Sequence, residues 1–186
     1  MTSPAAEVNW RRAARGTPNA AGQWFMACAT AAEGALSAFD PERAIPGANP
    51  SVTIRVAEAI RTVELSWAEA VAIIQAVCVQ LESGRMPPAI GDLRICAAGL
   101  VTFPSGGLID EDVAIQLTAR LLARLLGDGP WPLELCTALE QAQTAPMRFG
   151  SVRGFGTWFT CVPAGGGAAL LAAYVRCVVV SLDGRA

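Results

Sequence analysis

The side chains able to do polar chemistry in this chain are six cysteines, at 28, 78, 96, 136, 161 and 177, sixteen carboxylates, fourteen arginines and scattered hydroxyls; there is no lysine and no histidine. That inventory excludes most common mechanisms. A cysteine or serine nucleophile needs a neighbouring base, usually histidine, to take its proton. Gly150-Ser151-Val152 lacks the flanking pattern of a G-x-S-x-G elbow. Amine chemistry, whether Schiff base or general base, needs a lysine. No two cysteines form a C-x-x-C pair, and without histidine no mixed metal site is completed. Most cysteines fall in apolar runs such as Ala76-Val77-Cys78-Val79, where a thiol packs as a small hydrophobe, and they are read as structural thiols of a reducing cytosol. Glu111 with Asp112, and Glu134 with Glu140, are read as support for helix ends. Ser105-Gly106-Gly107 and Gly165-Gly166-Gly167 lack the spacing of a phosphate-binding loop and are read as connectors. The expectation is no catalytic residue, no metal site and no cofactor.

The elements that would position any site follow from periodicity and punctuation. Residues 1–50, rich in Ala, Gly and Pro, are expected to form a flexible or weakly structured leader, and residues 51–182 a single domain. Val52 to Val56 could begin as a strand, but Ala57-Glu58-Ala59-Ile60 suits a helix equally well, and the segment is left open. Ser66-Trp67-Ala68-Glu69 is a capping box, and Trp67, Val71, Ile74, Cys78 and Leu81 then share one face, so a helix is predicted from Trp67 to Glu82, stopped by Gly84. Two short apolar runs, Leu93 to Cys96 and Leu100 to Phe103, flank Ala97-Ala98-Gly99 and predict a β-hairpin. A long helix is predicted from Glu111 to Leu126, with Val113, Leu117, Leu121 and Leu125 as its apolar row. Pro132 opens a third helix carrying Leu135, Leu139 and Ala142, and Ser151 caps a short one aligning Val152, Phe155 and Phe159. The fold class is therefore mostly α (α+β), a helical domain with one small β-hairpin.

Charge and hydropathy narrow the partners. A net charge of −2 offers no polyanion-binding footprint, so nucleic acid is not expected. Arg11, Arg12 and Arg15 ahead of Ala20 to Ala32 make a poor signal peptide, and no export is assigned. Residues 165–182 form an apolar run interrupted by Arg176, for which a buried helix, or a helix followed by a strand, is favoured over a membrane anchor. Of the five tryptophans, Trp67 and Trp158 fit core positions, while Trp131, between Pro130 and Pro132, is the candidate exposed aromatic anchor at an interface.

From Leu65 to about Val178 the order of elements resembles the C-terminal lobe of a protein kinase. The helix Trp67 to Glu82, the hairpin Leu93 to Phe103, the helix through Asp112-Val113-Ala114-Ile115-Gln116-Leu117, and the closing helices at Leu135 to Ala142 and Ser151 to Phe159 are similar to its parts in sequence. The resemblance implies where catalytic groups would stand, and they are missing. There is no phosphate-binding lysine and no G-x-G-x-x-G loop. With the hairpins superposed, the catalytic Asp falls at Arg85-Met86-Pro87-Pro88, where there is no acid; Asp92 then takes the metal-binding Asn position and Ser105 that of the D-F-G aspartate. With Gly91-Asp92-Leu93-Arg94 taken as the G-D-L-K form, Asp92 stands at the base, Arg94 at the lysine and Ala97 at the Asn. Either register leaves at most one carboxylate where two ligands and a base are needed. Asp92 is thus the one candidate degenerate catalytic-loop position, against its ordinary reading as a turn residue. The reading is a non-enzymatic, pseudokinase-type module of bacterial signalling, cytoplasmic, that docks a protein partner. A small membrane-associated protein anchored through residues 165–182 is the alternative.

Overall fold

The computed structural model describes residues 52–128, 131–159 and 166–184, so the expected leader 1–50 lies outside the described residues. Strand β1 (Thr53–Arg55) leads directly into a short helix α1 (Val56–Ala59), followed by α2 (Trp67–Gln80), β2 (Arg94–Cys96), β3 (Val101–Thr102), α3 (Glu111–Leu126), α4 (Leu133–Thr144), a 3₁₀ turn (Pro146–Phe149), α5 (Val152–Thr157) and α6 (Gly166–Asp183). The mostly helical class is as expected. The segment left open from Val52 to Ile60 is both things in succession, strand over Thr53–Arg55 and helix over Val56–Ala59. Its strand pairs with β2 in antiparallel register, Ile54 opposite Ile95, which makes the sheet three-stranded in the order β1-β2-β3 rather than a lone hairpin. The pairing runs one residue beyond the strand, since the Val56 N–H donates to the Leu93 carbonyl at 3.0 Å, and the chain then turns into α1.

Local chemistry accounts for the helix starts. The capping box at the head of α2 forms in full: the Glu69 N–H donates to the Ser66 hydroxyl at 3.3 Å, and the Ser66 N–H donates to the Glu69 carboxylate at 2.7 Å. Asp110 caps α3 by accepting from the N–H groups of Asp112 and Val113, and Ser151 caps α5 by accepting from Gly154 N–H at 3.0 Å. Helix α2 ends at Gln80, two residues before the predicted end, because Leu81 turns to an extended conformation and buries its side chain. Gly84 then takes φ +71° in the turn that follows.

One core joins these elements. Val71, Ile73, Ile74 and Val77 of α2 meet Leu93 and Ile95 of the sheet, Ile115 and Leu122 of α3, Phe155 of α5, and Leu171 and Tyr174 of α6. Helix α3 packs against α2, α4, α5 and the 3₁₀ turn. Being contacted from several sides, it buries Ala114, Ile115, Thr118, Ala119, Leu121, Leu122, Leu125 and Leu126. The predicted row is corrected here: Val113 is 43% exposed, and small residues take its place because neighbouring helices approach closely. Residues 166–183 form one continuous helix packed on α2 and β2, burying Leu171, Tyr174, Val175 and Val178. Among the described residues, no helix is long and apolar enough to cross a membrane.

Candidate functional site

A cleft of about 720 Å³ opens between α2, the β2–β3 turn, α5 and α6. Glycine and alanine create it. Gly99 turns the hairpin with φ +77°, and a Cβ there would lie 1.8 Å from the Ala168 carbonyl oxygen, so the turn and the first turns of α6 touch through backbone. A Cβ on Gly156 would come within 2.5 Å of Cys78 Cβ, which is how α5 comes to lie against α2. Ala72, Ala76, Gly167 and Ala168 line the space between and are too small to fill it.

Two glutamines of α2 hold the walls. Gln75 Nε2 donates to the Phe159 carbonyl at 2.7 Å, and Gln80 Nε2 donates to the Val101 carbonyl at 3.0 Å, fixing the end of α5 and strand β3 to the same helix. The rim carries two large exposed apolar side chains, Val79 at 64% and Leu100 at 59%. Arg153, also exposed on the rim, has no acidic partner among the described residues. Cys78 stands in the floor, where burial pushes its thiol up to about 12 against the lowering effect of hydrogen bonds with the Gly156 and Cys78 backbone. A thiol so high is inert as a nucleophile at neutral pH. The described lining holds no carboxylate, so its chemistry is that of an apolar slot with one cation at its edge.

The residues singled out in the sequence lie elsewhere. Neither Asp92 nor Trp131 lines the cleft. Asp92 is exposed just ahead of β2, its N–H donating to the Ala89 carbonyl at 2.9 Å, and its carboxylate has no partner among the described residues. Ser105 and Arg94, its companions in the two kinase registers, are exposed as well, and Ala97 is half-buried in the hairpin turn. Among the described residues, no three Cys, Asp or Glu side chains gather in a way that would hold a metal ion. Trp131 is not an exposed ring: it is half-buried against the core, with its indole N–H enclosed and without an acceptor among the described residues. Among the described tryptophans the exposed one is Trp158, at 47%, contrary to its expected core place. It stacks edge-on against Phe149, with ring centroids 5.0 Å apart, as an outer layer of the Phe149–Phe155–Phe159 cluster.

One polar residue does far more than its position at a helix end announces. Glu111, in the first turn of α3, accepts from Ser83 Oγ at 2.8 Å and Gly84 N–H at 2.6 Å with one oxygen, and from Val152 N–H at 2.7 Å with the other. It thereby ties the turn after α2 to the start of α5. Burial alone would raise its carboxyl, but the hydrogen bonds from Val152, Ser83 and Gly84 together hold it below its ordinary value.

Compared with protein-family models, curated proteins and solved structures, the chain matches none.

Proposed function

We propose that this chain is a non-catalytic module, arranged like a protein-kinase C-terminal lobe, that docks a protein partner in the cytoplasm as part of bacterial signalling. The observation that carries the docking reading is the cleft: an apolar floor open to solvent, flanked by Val79 and Leu100 and edged by an Arg153 without an acidic partner among the described residues. A segment presenting apolar side chains next to an acid would bury surface that now faces water and would give Arg153 a counterion. A fixed space of this size, held by Gln75 and Gln80, needs little reorganisation to receive it.

Support for the kinase-like arrangement comes from element order and packing. Gln80 binds β3 to α2, α3 packs within the core, and the closing helices follow in the expected sequence. Support for a non-catalytic reading comes from the residues at the matching positions: Arg85, Met86, Pro87 and Pro88 bring no acid, and among the described residues Asp92 has no cluster of further carboxylates about it.

Thermal unfolding of the full chain with ATP and Mg²⁺ tests the non-catalytic reading, since any ligand selective for the folded state raises its stability. No shift is expected; saturable stabilisation would overturn the reading. For docking, a photo-crosslinker at position 79 in cells of the source organism should capture one protein partner. That capture should disappear when Arg153 is changed to Glu; capture indifferent to R153E would sink the assignment of the cleft.

A further inference from the structure

The cleft has two unlike ends. Gln75 holds the Phe159 carbonyl, Gly156 lies on Cys78, and the Val152 N–H meets Glu111 beside Ser83 and Gly84, so α5 runs back along α2 and sets Arg153 toward the Gln80 end. At the other end α6 comes onto α2, where a Cβ on Gly167 would lie 3.4 Å from Ala72 Cβ. Between these ends the lining residues of α2 pass from buried Ala72 through half-buried Ala76 to exposed Val79. At about 1.5 Å per residue, the helix rises about 12 Å from Ala72 to Gln80. The space is therefore an apolar slot, deep at Ala72 and open beside a cation.

We infer that this slot binds a single-chain amphipathic carboxylate, a free medium-chain fatty acid, with its acyl tail along Ala76 and Ala72 and its carboxylate on Arg153. Charge selects the head group: the described lining holds one cation and no acid, and Glu111 spends both its oxygens on Ser83, Gly84 and Val152 rather than on the guanidinium. A guanidinium offers a carboxylate two parallel N–H donors. Size and lining select a small ligand, since 720 Å³ of mostly apolar space with few polar groups falls within the range of about 300 to 1,000 Å³ that such ligands fill. The slot is set before any ligand arrives, because Gln75 and Gln80 fix its walls and Gly99 seats the hairpin turn on α6. The inference rests on the docking reading for its consequence alone. A partner segment needs the same floor and the same cation, so bound acid and bound partner exclude each other.

Titration calorimetry of the full chain with octanoate, decanoate and dodecanoate, each kept below its micelle-forming concentration, tests the assignment. Each added CH₂ should tighten binding about two- to fourfold until the floor is covered, the upper figure being that of a fully buried methylene. The alcohol 1-decanol, with the same tail and no charge, should bind about two- to fivefold more weakly than decanoate, the size of an exposed ion pair. R153Q should bring decanoate down to the level of decanol and leave decanol unchanged, which a loss of folding could not do. A76F, which fills the floor, should abolish binding of both, with a circular-dichroism melt to show that the chain still folds. Absence of saturable binding, an affinity indifferent to chain length, an acid preference that survives R153Q, or binding to phospholipid vesicles alone would each overturn the inference. The two readings fail separately. A protein partner captured at position 79 without decanoate binding leaves docking standing and removes the acid site, whereas decanoate binding with no partner captured does the reverse.

Discussion

Replacing Glu111 by Ala should loosen the joint between the turn after α2 and the start of α5. Three hydrogen bonds end on this carboxylate, two of them from backbone N–H groups that would otherwise lack a protein acceptor. A charge-assisted hydrogen bond contributes about 1.5 to 3 kcal/mol when well shielded. Glu111 is only half-buried, however, so water replaces much of what is lost and the sum is cut to roughly 2 kcal/mol for E111A. Glu111→Gln should cost somewhat less, since its amide keeps one acceptor oxygen but turns an NH₂ toward an N–H or hydroxyl donor. For a chain of this size, about 2 kcal/mol corresponds to a Tm lowered by roughly 4 to 8 °C. The pH dependence carries a definite sign. The folded carboxyl lies below its ordinary value of 4.5, so the unfolded chain binds this proton first on acidification. Its stabilisation is therefore complete above pH 4.5 and is lost as pH falls through the lower folded value. Calorimetric or circular-dichroism melts of the parent and E111Q at pH 7 and at steps below pH 4.5 should show a gap that closes with acid. A gap that is absent at pH 7, or the same at pH 3, would refute the latch.

Three further outcomes follow from the same structure. G99A should destabilise the chain by about 2 kcal/mol or more in urea titration, because φ +77° and the Ala168 carbonyl both oppose a Cβ; G107A, with open space at its Cβ, should change little. At pH 8 Cys177, which is exposed, should be alkylated quickly by iodoacetamide in the native protein, while the buried Cys78, pushed up to about 12, stays unmodified until denaturant is added, as intact mass would report. Tyr174 is the chain's one tyrosine, donates to the Val63 carbonyl at 2.9 Å, and is pushed up to about 12 by burial and then by the Glu69 charge. Its contribution is present below pH 10 and is lost as pH rises toward 12, so tyrosinate absorbance should appear together with alkaline unfolding, and Y174F should cost about 1 kcal/mol.

Much of the fold was legible without coordinates, because local rules govern it. The capping box at Ser66 and Glu69, the Asp110 and Ser151 caps and the Gly99 turn each depend on residues within a few positions of one another, and each element starts or turns where those residues stand. The same locality limits what could be read. That Val52 to Val56 joins the sheet depends on β2, some forty residues away. Which side of α3 is buried depends on the helices that close over it, so Val113 is exposed where periodicity alone would hide it.

The sequence by itself determined the absence of lysine and histidine, and with it the chemistry this chain must do without; it also determined the helical class and the placing of most elements. Only the tertiary structure decided where a site lies. The cleft exists because Gly99, Gly156 and several alanines, scattered from α2 to α6, let backbones approach while leaving space unfilled, and nothing in their one-dimensional spacing records that they meet. Likewise Glu111 reads as a helix-end acid until Ser83, Gly84 and Val152 are brought to it, since a hydrogen bond depends on distance in space rather than along the chain.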